Sequence, residues 1–179
     1  MINIIAQILG ILAMTVAFIS FQQKTQKYIV TLQFVSASLW TVHFFLLGAY
    51  TGCLLNLIAM LRDIVFSQRD KHKWATHIGW FIATVSLCFG VYILTFTVFG
   101  KEPSAINFII ELLPVIGMAA TTTANRQKEA RHVRLFSLMS CPLWLIYDFV
   151  NHSIGGTITE VFSIISIVLA MLRLDRKKQ

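Results

Sequence analysis

The chain has 179 residues, of which 56% are hydrophobic and only 13% are charged, and its mean hydropathy is +0.72. Soluble domains carry roughly 25% charged residues, so this composition excludes an ordinary water-soluble core and indicates a membrane protein. The formal net charge of +7 does not indicate nucleic-acid binding, because the basic residues are grouped in alternate loops between apolar segments.

Seven apolar segments follow one another along the chain. Their lengths are close to the roughly 20 residues that an α-helix needs to cross the hydrocarbon layer. Helices are predicted because isolated strands would leave backbone groups without hydrogen-bond partners in lipid. The predicted spans are Asn3–Phe21, Ile29–Tyr50, Gly52–Phe66, Ala75–Phe99, Ala105–Asn125, Val133–Val150 and Thr157–Leu172.

Loops that carry basic residues alternate with loops that do not. Lys and Arg follow the first, third, fifth and seventh spans, whereas the other loops hold only Lys101. Because cytoplasmic loops are enriched in Lys and Arg, we expect an outward N-terminus, an inward C-terminus and an odd number of crossings.

The first third of the sequence matches the last third at an offset of 104 residues. Aligned residues include Ser36 with Ser140, Leu39-Trp40 with Leu143-Trp144, Phe45 with Phe149 and Gly52 with Gly156. Internal repeats of this kind are typical of small transporters.

The two repeats run in the same direction along the sequence, and each holds three predicted spans. Three crossings reverse the chain, so two parallel trios need one further helix between them. We therefore predict an all-α membrane protein with seven transmembrane helices in a 3+1+3 arrangement. Repeat one is residues 1–73, the linker helix 74–103, and repeat two, with its basic cytoplasmic tail, 104–179.

Each repeat places one tryptophan at the same interval before one polar residue. The pairs are Trp40 with Asn56 and Trp144 with Glu160. At about 1.5 Å per residue, Trp40 and Asn56 both lie roughly 9–12 Å from the outer face of the hydrocarbon layer. Aromatic faces cover the C–H face of a sugar and polar groups bind its hydroxyls, so these four residues are the predicted substrate-binding site. The alternative is that the tryptophans only pack and that Asn56 bonds to another helix.

This arrangement resembles the SWEET, semiSWEET and PQ-loop transporter superfamily in its 3+1+3 order, its outward N-terminus and its paired Trp and Asn positions. The resemblance implies that Trp40, Trp144 and Asn56 line a sugar site, because the second-helix tryptophan and third-helix asparagine do so in that superfamily. Glu160 stands where the superfamily has asparagine. The PQ-loop proline corresponds to Pro114, which implies a hinge in the second half.

Three strings resemble, more closely, the YgjV family of bacterial inner-membrane proteins. They are HFFLLG at 43–48, ELLPVIG at 111–117 and SIGGT at 153–157. The resemblance implies a multi-pass protein of the bacterial inner membrane, in which the outward N-terminus and inward C-terminus expected from the basic loops would be periplasmic and cytoplasmic. It implies a fold and a location but no substrate.

Ionisable residues inside apolar segments are costly and are commonly paired or functional. The candidates for a proton-transfer or gating role are Glu160, Asp148, Glu111 and His43. Glu160 could load and release a proton, or it could stay charged and bind an amine or another cation. Structural hydrogen bonding is the alternative for Glu111 and His43, and a wetted mouth of the bundle is the alternative for Asp148.

The sequence contains no recognised nucleophile, metal-ligand or cofactor motif, and its three cysteines have no paired spacing. We therefore expect no enzyme activity, metal, cofactor or nucleic-acid partner. The leading function is alternating-access transport of a small polar solute, either sugar-like or an amine or amino acid, with proton coupling as an option. The alternative is a receptor or assembly protein that binds a ligand or partner in the same pocket without transport.

Overall fold

Seven α-helices make up most of the computed structural model, which describes residues 2–47, 50–150 and 154–175. The helices are α1 Ile2–Phe21, α2 Gln26–Leu46, α3 Tyr50–Ser67, α4 Ile78–Thr97, α5 Ala105–Asn125, α6 Ala130–Val150 and α7 Ile154–Ala170. One turn of π-helix, Met171–Asp175, continues α7. The prediction of an all-α protein is confirmed, and the end of the basic tail, 176–179, lies outside the described residues.

Three helices begin about one turn earlier than predicted: α2 begins at Gln26 rather than Ile29, α6 at Ala130 rather than Val133, and α7 at Ile154 rather than Thr157. In α2 and α6 the added turn contains Gln, Lys or Arg, which are good helix formers and extend a helix beyond its apolar part. α4 begins later than predicted, at Ile78 rather than Ala75. A short 3-10 helix at Lys73–Thr76, which the sequence did not predict, precedes α4.

Six of the seven helices are long and apolar enough to cross a membrane, judged by length and composition. The remaining one, α3, carries the adjacent charged residues Arg62 and Asp63. Many large apolar side chains point away from the bundle; Ile4, Ile11 and Phe149 are 65%, 60% and 71% exposed. Such a surface suits contact with lipid tails and is costly in water.

Six of the helices form a ring around the centre of the bundle. α2 packs against α1 and α3, and α6 packs against α5 and α7. The ring closes where α1 meets α7 and where α3 meets α5, and α2 and α6 approach each other across it. α4 packs against α3 and α5, so it lies at the periphery.

The two halves of the ring repeat one helix-to-helix contact at aligned positions. Ser36 Oγ donates to the Ala13 carbonyl of α1 at 2.8 Å, and Ser140 Oγ donates to the Gly117 carbonyl of α5 at 3.0 Å. Both the serines and the acceptor residues are related by the 104-residue offset. The duplicated sequence therefore makes a duplicated helix-to-helix contact.

We use the term basic end for the end of the bundle that carries the loops 22–25, 68–77 and 126–129. These loops and the segment after α7 contain most of the lysines and arginines. The opposite end carries the loop 98–104, where Gly100 has a φ of 71°, and the C-terminal ends of α2 and α6. A residue with a Cβ is strained at such a φ, so the chain reverses there through glycine.

Candidate functional site

A cavity of about 210 Å³ lies inside the helix ring. Drug-sized ligands occupy pockets of about 300–1,000 Å³, so this cavity suits a smaller molecule. The residues that line it are Ala17, Phe21, Trp40, Phe44, Asn56, Thr121, Ser137, Ser140, Cys141, Trp144, Asp148, Gly156, Thr159, Glu160 and Ser163. The structure thus brings together Trp40, Asn56, Trp144 and Glu160, whose role in binding stays a prediction.

The two tryptophans are held by aromatic neighbours on their own helices. Trp40 stacks on Phe44, with ring centroids 5.4 Å apart and an interplanar angle of 24°. It also meets His43 edge to face at 88°, and Trp144 meets Tyr147 at the same angle of 88°. The repeat aligns His43 with Tyr147, so both indoles are fixed by an equivalent edge-to-face contact.

Two glycines let cavity side chains lie directly against a neighbouring helix. A Cβ at Gly117 of α5 would lie 2.6 Å from Nε1 of Trp144, and a Cβ at Gly156 of α7 would lie 2.5 Å from Oδ2 of Asp148. Both distances are well below the van der Waals optimum of about 3.5–4.0 Å. The absence of a side chain at these glycines therefore determines where the indole and the carboxylate sit.

Both carboxyl groups of the cavity come from the second half of the chain. Asp148 of α6 and Glu160 of α7 line it, and Glu160 hydrogen-bonds with the thiol of Cys141. The aligned positions in the first half hold Phe44 and Asn56, which also line it. The cavity is therefore acidic on its α6–α7 side and aromatic and neutral on its α2–α3 side.

Hydroxyl groups add further polar surface to the lining. Ser140 and Thr159 donate to backbone carbonyls, and those bonds satisfy their hydrogens. Ser137 is only 2% exposed, and its Oγ has no hydrogen-bond partner within the described part of the chain. A buried hydroxyl without a partner is unfavourable, so Ser137 offers a hydrogen bond to a molecule in the cavity.

Asn56 and His43 make local bonds. Asn56 Nδ2 donates to the carbonyl of Gly52 on its own helix at 2.9 Å, so this NH₂ group does not make the helix-to-helix bond considered above. His43 Nδ1 lies 2.7 Å from the Ala6 carbonyl of α1 and the side chain is 7% exposed. His43 thus joins α2 to α1 and is not among the residues that line the cavity.

Glu111 and Pro114 also lie outside the cavity lining. Glu111 Oε1 pairs with Lys101 Nζ at 2.9 Å, and its carboxyl group hydrogen-bonds with the hydroxyl of Tyr147. Pro114 is buried inside α5, which continues as a helix on both sides of it. Its role as a hinge stays a prediction, and Glu111 takes part in an ion pair that the sequence did not predict.

A buried polar cluster connects the halves between the cavity and the basic end. Arg62 Nε bonds Asp63 Oδ1 at 2.8 Å, and its Nη1 donates to Thr121 Oγ1 of α5 at 2.7 Å. Asn125 Nδ2 donates to the same Asp63 oxygen at 2.7 Å, and Gln26 Nε2 donates to the Asn125 carbonyl at 2.9 Å. These bonds hold α3 and α2 of the first half against α5 of the second.

Arg134 of the second half bonds to the end of α1 in the first half. Its side chain is 1% exposed. Its Nε donates to the Phe21 carbonyl at 3.0 Å, and its Nη1 donates to Asp175 Oδ1 at 2.6 Å. Its Nη2 donates to the Gln23 carbonyl. Phe21 and Asn125 are aligned by the repeat, so the last turn of each first helix is capped by a side chain from the other half.

Arg69 contributes to the basic end outside the helices. It donates to the carbonyl of Arg126, which begins the α5–α6 loop. Partial burial lowers the pKa of Arg69 from its ordinary value, an effect that Asp70 at 3.9 Å opposes. The guanidinium remains charged at neutral pH because an arginine pKa lies so far above it.

Several lining residues were not predicted from the sequence, among them Phe44, Ser137 and Cys141. The sequence does contain a signal for the lining residues of α6. Positions 137, 140, 141, 144 and 148 follow the i, i+3, i+4, i+7, i+11 spacing of one helix face. The sequence interpretation used depth along each helix and did not use this periodicity. Among the described residues, no group of three or more His, Cys, Asp or Glu side chains is arranged to hold a metal ion.

Comparison with known proteins gives one family. The model of the Imp-YgjV family, described as a bacterial inner membrane protein, matches residues 4–178. The inner membrane protein YgjV of Escherichia coli (strain K12) is 26% identical over 156 residues, which are 87% of this chain and 76% of that protein. No solved structure matches.

Proposed function

The chain belongs to the Imp-YgjV family of bacterial inner-membrane proteins, and we propose that it moves a small polar solute across that membrane by alternating access. The observation that carries this proposal is the central cavity, where two indoles, an amide and two carboxyl groups line one space. Polar groups inside a membrane protein are costly and commonly mark a solute path. Their position between the duplicated halves is where transporters built from repeats bind their substrates.

The proposed architecture is two parallel three-helix repeats, residues 1–73 and 104–179, joined by a linker helix within 74–103. It is supported by the paired serine contacts and by the way the ring closes. A two-fold axis along the membrane normal would exchange α1 with α5 and α3 with α7. It would therefore exchange the α1–α7 contact with the α5–α3 contact, and both contacts occur.

The bonds at the basic end suggest which side of the cavity is closed. Arg62, Asn125 and Arg134 tie the halves together between the cavity and the basic end. Alternating access would require these bonds to break while the opposite end closes, with Pro114 as the proposed hinge. Because Lys and Arg favour the cytoplasm, we propose that the basic end is cytoplasmic and the N-terminus periplasmic.

Solute counterflow in proteoliposomes tests transport, with a panel of sugars, amino acids and amines. Trp144→Phe should lower the flux of the transported solute because the indole lines the cavity. Trp74→Phe is the matched control, since Trp74 is 50% exposed outside the cavity near the basic end. Binding without flux would favour the receptor function, and equal flux in both variants would contradict the assigned site.

Proton coupling is tested with Glu160→Gln in the same assay. Glu160 aligns with Asn56 of the first half, so the Glu160→Gln variant has an amide at this position in both halves. The variant should keep its fold and lose any dependence of flux on a pH gradient. Glu129→Gln, in the exposed α5–α6 loop, is the control. A pH dependence that persists in Glu160→Gln would count against a proton role for this residue.

A further inference from the structure

We propose that the ligand of the central cavity is a small organic cation whose ammonium group lies against the α6–α7 side. This inference deepens the proposed function and takes its site from it, although binding can be tested without transport. It is carried by the charges, the aromatic faces and one unpartnered hydroxyl of the cavity lining.

The charged groups of the cavity are all acidic. Asp148 and Glu160 line it, and none of the described lining residues is Lys, Arg or His. The buried arginines nearby are already engaged, Arg62 with Asp63 and Arg134 with Asp175. An anion, or the carboxylate of a zwitterion, would therefore meet like charge without a positive partner, whereas a cation would pair with the carboxyl groups.

The aromatic groups favour the same ligand class. Trp40 and Trp144 line the cavity, and Trp40 is held rigid by its stack on Phe44. Indole faces attract ammonium groups, and this attraction strengthens where water is excluded. A neutral polyol could also contact these rings, but it would form no ion pair with the carboxyl groups of Asp148 and Glu160.

The two halves differ at the positions that decide the charge. Asp148 and Glu160 stand where the first half has Phe44 and Asn56. A ligand that is charged at one end and apolar or neutral at the other matches this division. Ser137, buried and without a partner in the described part of the chain, adds a hydrogen bond for an N–H or hydroxyl of the ligand. The cavity volume of about 210 Å³ limits the size of the ligand, so a cation that binds there must be small.

The direct test compares two molecules that differ only in charge. Full-length protein in lipid nanodiscs is titrated calorimetrically with choline and with dimethylbutanol, its neutral isostere in which carbon replaces nitrogen. Ethanolamine, glycine betaine and glucose complete the panel as a primary amine, a zwitterion and a neutral polyol. We expect saturable binding of choline and of ethanolamine, and at least about tenfold weaker binding of the neutral and zwitterionic molecules.

Variants then assign the binding to the cavity. Asp148→Asn and Glu160→Gln should each weaken cation binding about tenfold while leaving the weak binding of dimethylbutanol unchanged. Asp70→Asn and Glu129→Gln make the same chemical changes in exposed loops and should have no effect. Thermal unfolding of every variant shows that the fold is kept.

Each outcome distinguishes this inference from the transport proposal. Equal binding of choline and its isostere, no saturable binding of either cation, or cation binding that survives both cavity variants would overturn the inference. Cation binding without flux in proteoliposomes would overturn transport and leave the ligand class intact. Flux of a neutral solute without cation binding would overturn the ligand class and leave the transport proposal intact.

Discussion

Gly117→Ala should disturb the cavity without touching any polar residue. Gly117 lies in α5 and is buried, and the added Cβ would stand 2.6 Å from Nε1 and 2.9 Å from Cδ1 of Trp144. Both ring atoms belong to a rigid indole. Since the van der Waals optimum is about 3.5–4.0 Å, the ring must retreat by about 1 Å or the helices must separate.

The size of the effect follows from two opposing terms. Overpacking a well-filled site costs about 1–3 kcal/mol. Alanine is a better helix former than glycine by about 1 kcal/mol in a helix interior, which offsets part of that cost. The net destabilisation should therefore reach about 2 kcal/mol. Gly90→Ala in α4 is the matched control, because its Cβ would meet no atom within 4 Å, and it should be neutral or stabilising.

Thermal unfolding in nanodiscs and tryptophan fluorescence measure both consequences. In a background with Trp74→Phe and Trp80→Phe, the emission comes from Trp40 and Trp144, so displacement of the second indole should shift it. Gly117→Ala should lower the unfolding midpoint and alter the emission, and Gly90→Ala should do neither. If the two glycine variants behave alike, the close approach of α5 and α6 described above is wrong.

Two further predictions use the same logic of matched variants. Gly156→Ala should displace the carboxylate of Asp148 and weaken ligand binding. Gly155→Ala should not, because its Cβ would meet no atom within 4 Å. Calorimetric titration compares the two variants, and equal affinities would refute the contact between Gly156 and Asp148. Arg62→Met should destabilise the protein by about 3–5 kcal/mol, because it leaves Asp63 buried without its ion pair. Adding Asp63→Leu should recover part of that loss in chemical or thermal unfolding, and a strictly additive loss would show that the pair is not coupled.

The all-helical structure was predictable because apolar length is a strong pattern along this chain. The 104-residue offset aligned Ser36 with Ser140, and these two serines make equivalent helix-to-helix contacts. Counting along each helix also placed Trp40, Asn56, Trp144 and Glu160 at similar depth. Similar depth was informative because helices in a bilayer run roughly side by side. Residues at one level therefore meet if their side chains face the inside of the bundle.

The contacts at the basic end could not be predicted in this way. The rule that basic residues mark the cytoplasmic side did not single out Arg134, yet its side chain is 1% exposed and its Nε donates to the Phe21 carbonyl across the bundle. The rule on basic loops counts charges and says nothing of helix ends, whose last carbonyls need donors. The pair of Glu111 with Lys101 was missed for a similar reason, since it joins α5 to a loop whose path depends on the fold.

Some lining residues of the cavity are identical at aligned positions of the two halves, and others differ. The aligned Trp40 and Trp144 line the cavity from both halves, and the aligned Ser36 and Ser140 make equivalent helix-to-helix hydrogen bonds. The positions that differ, Phe44 against Asp148 and Asn56 against Glu160, carry the charge. Two identical halves would present the same chemistry on both sides of the axis and could not distinguish the ends of an asymmetric ligand. Since each difference places a carboxyl group in the second half alone, ligand selectivity should change most when these two positions are altered.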